Sequence, residues 1–210
     1  MKYLNYRLSA AMWTRVLLLW LILTIGAVVA GGGALWMGQF VHDNIHDELV
    51  SQQISFSAEE NLSEEELAIP GMRENAGQAL TTGNQAKVYS ELIGLHSRNS
   101  AAGAGYPGEV YSTLGGIQRQ LRAAVATAEE SGDEDAIAEA QAQLDTVNNL
   151  RNTMLTASTL RGNLLSAYGW DNFATGITYT GVGILVLAGV FFLLFVFEWR
   201  RGHLPPVEEA

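Results

Sequence analysis

Two long stretches of the chain contain no charged residue, and they dominate its hydropathy pattern. The first runs from Val16 to Met37 and the second from Phe173 to Phe197. At about 1.5 Å of rise per residue, each stretch would form a helix at least about 30 Å long, enough to cross the hydrocarbon core of a bilayer. Aromatic residues flank both stretches, at the level where lipid headgroups would lie. The pattern predicts two transmembrane helices, over residues 16–40 and 173–197.

Between these stretches, apolar residues recur every three or four positions, which is the period of amphipathic helices. The longest such pattern lies in residues 110–130 and resumes after the Ser-Gly-Asp break at 131–133. Other local signals predict an extended stretch at 53–57, helix starts after Ser63 and Thr82, and a flexible loop at 101–108. The predicted fold is mainly α, with two transmembrane helices joined by an extracytoplasmic helical-bundle domain.

The apolar stripes of these helices predict the core of the domain. The stripe of the first long helix consists of Leu114, Ile117, Leu121 and Val125. The helix that follows is predicted to bury Leu144, Val147, Met154 and Leu155. No proline interrupts this last helix, which is predicted to continue into the second span.

Charge predicts the orientation of the chain in the membrane. Residues 41–172 contain 19 acidic and 7 basic residues, a net charge of −12. Basic residues flank the spans instead: Lys2, Arg7 and Arg15 before the first, and Arg200 and Arg201 after the second. The positive-inside rule therefore places residues 1–15 and 198–210 in the cytoplasm and residues 41–172 outside a bacterial inner membrane.

The alternative for the first span is a signal peptide cleaved after Val28-Val29-Ala30. The apolar run continues well past Ala30, and this favours a retained span.

Composition removes several classes of partner and chemistry. The whole chain has a formal charge of −10, so nucleic acid, which requires a basic footprint, is not an expected partner. The chain contains no cysteine, so disulfides, thiolate nucleophiles and sulfur-ligated metals are excluded. The lipid bilayer is the first expected partner, and no cofactor is expected.

Small residues in the spans point to close helix packing. Gly26, Ala30 and Ala34 recur every fourth position, and Gly181 and Gly189 have a similar spacing in the second span. Such faces allow helix backbones to approach closely in a membrane. Either the two spans pack on each other, or they pack on another membrane protein or on a second copy of this chain.

His42 and His46 form the sharpest candidate site, because on a helix they lie one turn apart on one face. Two imidazoles at this spacing can bind zinc, copper or nickel, with a third ligand from His96 or a carboxylate. The alternative is an ordinary polar turn at the membrane surface. His96, near Val88 and Leu92, is expected to be a partly buried, hydrogen-bonded structural residue, with pH sensing as its alternative role.

Three stretches together resemble an uncharacterised group of small, mainly actinobacterial membrane proteins with two spans. They are Gln53–Glu60, Tyr89–His96 and the run from Met154 to Leu165 that leads into the second span. The resemblance implies two transmembrane helices and a helical outer domain, and it implies no activity. His42 and His46 lie outside the resembling stretches.

These observations predict a non-catalytic accessory or assembly subunit of a membrane complex. The prediction rests on the small-residue faces, the short cytoplasmic tails and the lack of a recognisable catalytic motif. The alternative is a sensor or ligand-binding ectodomain that signals through a partner. A more distant alternative is a metal-binding surface protein that uses His42 and His46.

Overall fold

The computed structural model describes residues 10–202, and most of these residues are helical. The helices are α1 (Ala10–Ser51), α2 (Glu64–Leu67), α3 (Met72–Asn75), α4 (Gly83–Gly103), α5 (Tyr111–Ser131) and α6 (Glu134–Gly202), and a 3₁₀ turn covers Glu59–Asn61. Within residues 10–202 there is no β-strand, only an isolated antiparallel bridge between Ser55 and Ala79. The mainly α prediction is confirmed. Predictions that concern residues 1–9 and 203–210 lie outside the described residues.

Local capping explains where the helices between α1 and α6 begin and end. The Ser63 side chain accepts a hydrogen bond from the Glu66 N–H, while the Glu66 carboxylate accepts one from the Ser63 N–H. Thr82 and Gln85 form the same reciprocal cap at the start of α4. Gly132 caps the C-terminal end of α5, and its φ of 71° is a left-handed conformation that glycine adopts without strain. The predicted starts of α2 and α4 and the break after α5 are confirmed.

One predicted loop is partly helical. Helix α4 continues to Gly103, so the loop prediction is wrong for residues 101–103. Ala101 is completely buried in the same cluster as Leu114 and Val147. Burial of this small side chain favours another helical turn, although an Ala-Ala-Gly sequence has little apolar pattern of its own.

The chain divides into two compact units. The span unit contains described residues 10–44 and 172–202, and the helical unit contains residues 45–171. Each candidate span therefore belongs to the first unit, whereas α2 to α5 belong entirely to the second.

In the span unit, α1 and α6 are in close contact where two glycines face each other. A Cβ atom built on Gly31 would lie 3.0 Å from the Gly181 carbonyl oxygen, and one built on Gly181 would lie 2.9 Å from the Gly31 carbonyl oxygen. Two turns after Gly31 on α1, Gly38 lies against Thr178 and Ala174 of α6. Packing of the two spans on each other therefore explains why a small residue is needed at Gly181 and at Ala34, which contacts Gly181.

The outward faces of these helices are apolar and exposed. Only 6% of the most apolar window of α1, and 11% of that of α6, is buried within the chain. A core helix of a soluble protein of the same composition would bury much of this surface, since exposure of so many apolar side chains to water is unfavourable. Both helices are long and apolar enough to cross a membrane.

The helical unit contains two clusters of buried apolar side chains. The first includes Leu49, Phe56, Met72, Leu80, Leu92 and Leu164. The second includes Ala101, Leu114, Val147, Leu150 and Met154. Most of the predicted stripe is confirmed as buried, namely Leu114, Val125, Leu144, Val147 and Met154, but Leu155 is wrong as a core residue because it is 47% exposed. Leu155 follows Met154 on α6, and consecutive helical residues point about 100° apart.

The irregular segment between α1 and α4, residues 52–82, supplies three of the most buried side chains of the first cluster. Phe56, Met72 and Leu80 are each exposed by 3% or less. Backbone pairing holds the two ends of the segment together, because the Phe56 N–H donates to the Gln78 carbonyl and the Leu80 N–H to the Ile54 carbonyl. The segment is thus a structural part of the unit and not a flexible connection.

Candidate functional site

A groove with a volume of about 780 Å³ lies in the helical unit, between α2 with the Pro70-Gly71 turn on one side and α4 on the other. We call it the α2–α4 groove. Its apolar surface comes from Ile69, Pro70, Val88 and Leu95. Gly71 has a φ of 87° and allows the turn, while its Cα packs so close to Val88 that an added Cβ would lie 2.9 Å from that side chain. The turn and α4 are therefore in direct contact at the bottom of the groove.

Charges of both signs line the α2–α4 groove. Its lining contains Glu65, Lys87, Glu91 and Arg98. The Lys87 ammonium lies 5.1 Å from the centre of the Tyr168 ring, within cation–π range, so α6 also contributes to the lining. An apolar surface with a few polar and charged groups is the usual composition of a ligand-binding groove. This one suits an amphipathic ligand that carries both charges.

A hydrogen-bonded network centred on Glu66 joins α2 to α4. One Glu66 carboxylate oxygen accepts from the Ser63 N–H at 2.7 Å and the Ser63 hydroxyl at 2.8 Å. The other lies 2.6 Å from His96 Nε2. One residue earlier, the Glu65 carboxylate accepts a hydrogen bond from the Asn99 side chain at 3.3 Å. Two consecutive carboxylates thus hold α2 against one face of α4.

These contacts change the acidity of Glu66. The Ser63 N–H, then His96 and then the Ser63 hydroxyl stabilise the carboxylate, and they lower the pKa of Glu66 from 4.5 to about 2. Because the pKa of Glu66 is lower in the folded state, the network contributes its full stabilisation at pH values above the pKa of Glu66 in the unfolded chain. This contribution is lost as the pH falls from about 4.5 towards 2.

We expect Glu66→Gln to reduce the free energy of unfolding by about 2 kcal/mol at pH 7, allowing for screening of the half-exposed His96. The difference from wild type should shrink as the pH falls from 4.5 to 2, because the wild-type Glu66 carboxyl is protonated first in the unfolded chain and only near pH 2 in the folded chain. Thermal unfolding of the full chain in mild detergent at several pH values measures both effects. Glu64→Gln, at an exposed position on the same turn, is the matched control; an equal loss in that variant would contradict the assignment.

His96 differs from the expectation in one respect. Its side chain is 52% exposed and is not buried beside Val88 and Leu92, although the expected hydrogen bond is present. It also borders a second cavity of about 440 Å³ between α4 and α6, lined largely by serine, threonine and asparagine side chains.

The two histidines of the predicted metal site lie on α1, one turn apart. His46 Nδ1 lies 3.2 Å from the Thr81 carbonyl oxygen, a contact that would orient the ring and leave Nε2 as the ligand atom. Among residues 10–202, no group of three or more histidine and carboxylate side chains is positioned to hold a metal ion. The third ligand that the site requires is thus not identified, and the metal site stays a prediction.

No sequence pattern predicts the α2–α4 groove beyond its individual turns and caps. Pro70-Gly71 predicts a turn and Ser63 predicts a helix start, but the α4 residues opposite them lie 13 to 35 positions later, and Tyr168 of α6 lies later still. Only the fold brings these two sets together.

Comparison with known proteins adds no identification: no protein-family model, curated protein or solved structure matches the chain.

Proposed function

We propose that this protein is a non-catalytic accessory or assembly subunit of a membrane complex in a bacterial inner membrane. In this proposal both termini are cytoplasmic and residues 41–172 lie outside, as the basic residues around the spans predict. The observation that carries the proposal is a second small-residue face on α1 that the contact with α6 does not use.

The two faces of α1 differ in what covers them. Gly31 and Gly38 are buried against α6. Gly26, Ala30 and Gly33 are exposed, and a Cβ built on either glycine would meet nothing within 4 Å. In a bilayer, exposed small residues at this spacing let another helix approach closely, where van der Waals contacts and weak backbone hydrogen bonds can form. We assign this face to a helix of the partner protein.

The test is affinity purification of tagged full-length protein from its own membrane in mild detergent, with mass spectrometry of the proteins that accompany it. We expect a stoichiometric membrane partner, and at least tenfold less of it with the double variant Gly26→Leu, Gly33→Leu. Gly32→Leu makes the same change at another exposed position of α1, about 100° around the helix from Gly33, and it should retain the partner. Equal loss in both variants, or recovery of the protein alone, would contradict the proposal.

The α2–α4 groove favours a second function, a ligand-binding ectodomain that signals through a partner. Its volume of about 780 Å³ is sufficient for a small molecule or a short peptide segment. Recovery of the full chain without a stoichiometric partner would favour this function over the first, since signalling does not require a permanent complex. A thermal-shift screen of that purified protein with zwitterionic compounds would then be the next experiment.

A further inference from the structure

Most basic residues of the helical unit lie in two segments that contain no aspartate or glutamate. Helix α5 has no aspartate or glutamate before Glu129, and α6 has none from residue 146 to residue 170. These segments carry Arg119, Arg122, Arg151 and Arg161, four of the seven basic residues between 41 and 172. In a region with a net charge of −12, this separation leaves a local concentration of positive charge.

Arg161 belongs to the framework of the unit. Its Nε donates a hydrogen bond to the Ser90 carbonyl oxygen at 3.1 Å, and its guanidinium packs on Gly94 of α4. Both of these partners lie on α4.

Arg151 is held in place by neutral groups. Its Nη1 donates to the Gln118 side-chain oxygen, and Gln118 in turn donates to the Asn148 side chain at 2.5 Å. The guanidinium carbon lies 4.6 Å from the centre of the Tyr111 ring. Arg151 Nε is buried and has no hydrogen-bond acceptor among the described residues. The side chain is thus positioned, and no carboxylate within the described chain forms an ion pair with it.

Arg119 approaches Arg151 over two glycines of α5. A Cβ atom built on Gly115 would lie 3.6 Å from Arg151 Nη2 and 4.0 Å from Arg119 Nη1, and one built on Gly116 would lie 3.9 Å from Arg119 Nη2. Both guanidinium groups therefore come within 4.0 Å of one point above Gly115, and we call the surface between them the notch. Among residues 10–202, neither group forms an ion pair.

We infer that this notch binds a small oxyanion, the carboxylate or phosphate group of a solute, between Arg119 and Arg151. Guanidinium groups match both kinds of oxyanion with paired hydrogen bonds, and Nη2 of Arg151 is preoriented by Tyr111 and Gln118. An anion there would also relieve the repulsion between two like charges. The surrounding acidic surface opposes binding, so we expect an affinity of about 1 mM that weakens with salt.

The test is thermal unfolding of the full chain in mild detergent with sodium phosphate, sodium acetate or sodium chloride at equal ionic strength. An affinity of about 1 mM predicts that 50 mM of the bound anion raises the melting temperature by about 5–9 °C relative to chloride. The phosphate and acetate arms identify which oxyanion the notch prefers. No shift with either anion would overturn the inference.

Variants separate this notch from other basic positions. Arg119→Gln, at an exposed residue, should remove the shift, and relief of its repulsion with Arg151 should keep the melting temperature in chloride at or slightly above that of the wild type. Gly116→Asp places a carboxylate beside Arg119 and should also abolish the response. Arg73→Gln removes an arginine paired with Glu59 and should preserve the response. A shift that survives both Arg119→Gln and Gly116→Asp would overturn the inference. The readout involves no partner protein, so its outcome is independent of the accessory-subunit proposal.

Discussion

Replacing Gly181 with valine is expected to separate the two candidate spans and to destabilise the span unit by about 1–3 kcal/mol. A Cβ on Gly181 would lie 2.9 Å from the Gly31 carbonyl oxygen and 3.1 Å from both the Ala34 Cβ and the Leu35 backbone nitrogen. Two of these three atoms belong to the backbone of α1 and the third is the first atom of a side chain. None of them can rotate away, so the helices themselves must move.

A disulfide reporter can measure this separation directly, because the chain has no cysteine of its own. A Cβ built on Gly38 lies 3.4 Å from the Thr178 Cβ, close to the separation that a disulfide requires. The double variant Gly38→Cys, Thr178→Cys should therefore form a disulfide readily under mild oxidation. We expect Gly181→Val to slow this reaction at least tenfold in the double-cysteine background.

Gly183→Val is the matched control for that measurement. It adds the same side chain two residues away, where a Cβ would meet nothing within 4 Å. Its disulfide should form at the rate of the double-cysteine parent. If Gly181→Val reacts as fast as Gly183→Val, the two helices do not depend on the glycine contact.

The spans show how far sequence spacing predicts helix packing. A spacing of four residues selects Gly26, Ala30 and Ala34, and only Ala34 of these three contacts α6. The contact is centred instead on Gly31 and Gly38, which are seven residues apart. Helix α1 has small residues on more than one face, so periodicity predicts that close packing is possible without identifying the face that is used.

The helical unit shows a similar division between local and long-range information. The Ser63 cap is encoded within four residues, and its prediction is confirmed. The contact of Glu66 with His96 joins residues 30 positions apart, and no local pattern indicates it. Met72 lies in a four-residue helix that is too short to show a period, yet its side chain is completely buried. The α2–α4 groove depends on contacts of this second kind, which only the complete fold determines.

Leu114→Ala is expected to destabilise the helical unit by about 2–5 kcal/mol, because Leu114 is completely buried and its truncation leaves a cavity. Leu155→Ala removes the same atoms from a side chain that is 47% exposed, and it should cost about 0.5 kcal/mol or less. Chemical denaturation of the full-length protein in mild detergent, followed by far-ultraviolet circular dichroism, measures both. The apolar pattern of the sequence alone predicts similar losses, since it places both leucines on core stripes.

The contrast between these leucines tests the rotation of α6 against α5. Leu114 lies in one cluster with Val147, Leu150 and Met154, whereas Leu155 points away from that cluster. A rotation of α6 by one residue about its axis would bring Leu155 inward and turn Met154 towards the surface. A large loss in Leu155→Ala with a small loss in Met154→Ala would indicate that rotation. It would also displace Arg151, which lies one turn before Leu155 on α6, and with it the notch between Arg119 and Arg151. The stability of these variants therefore bears on the geometry of the proposed anion site as well as on the core.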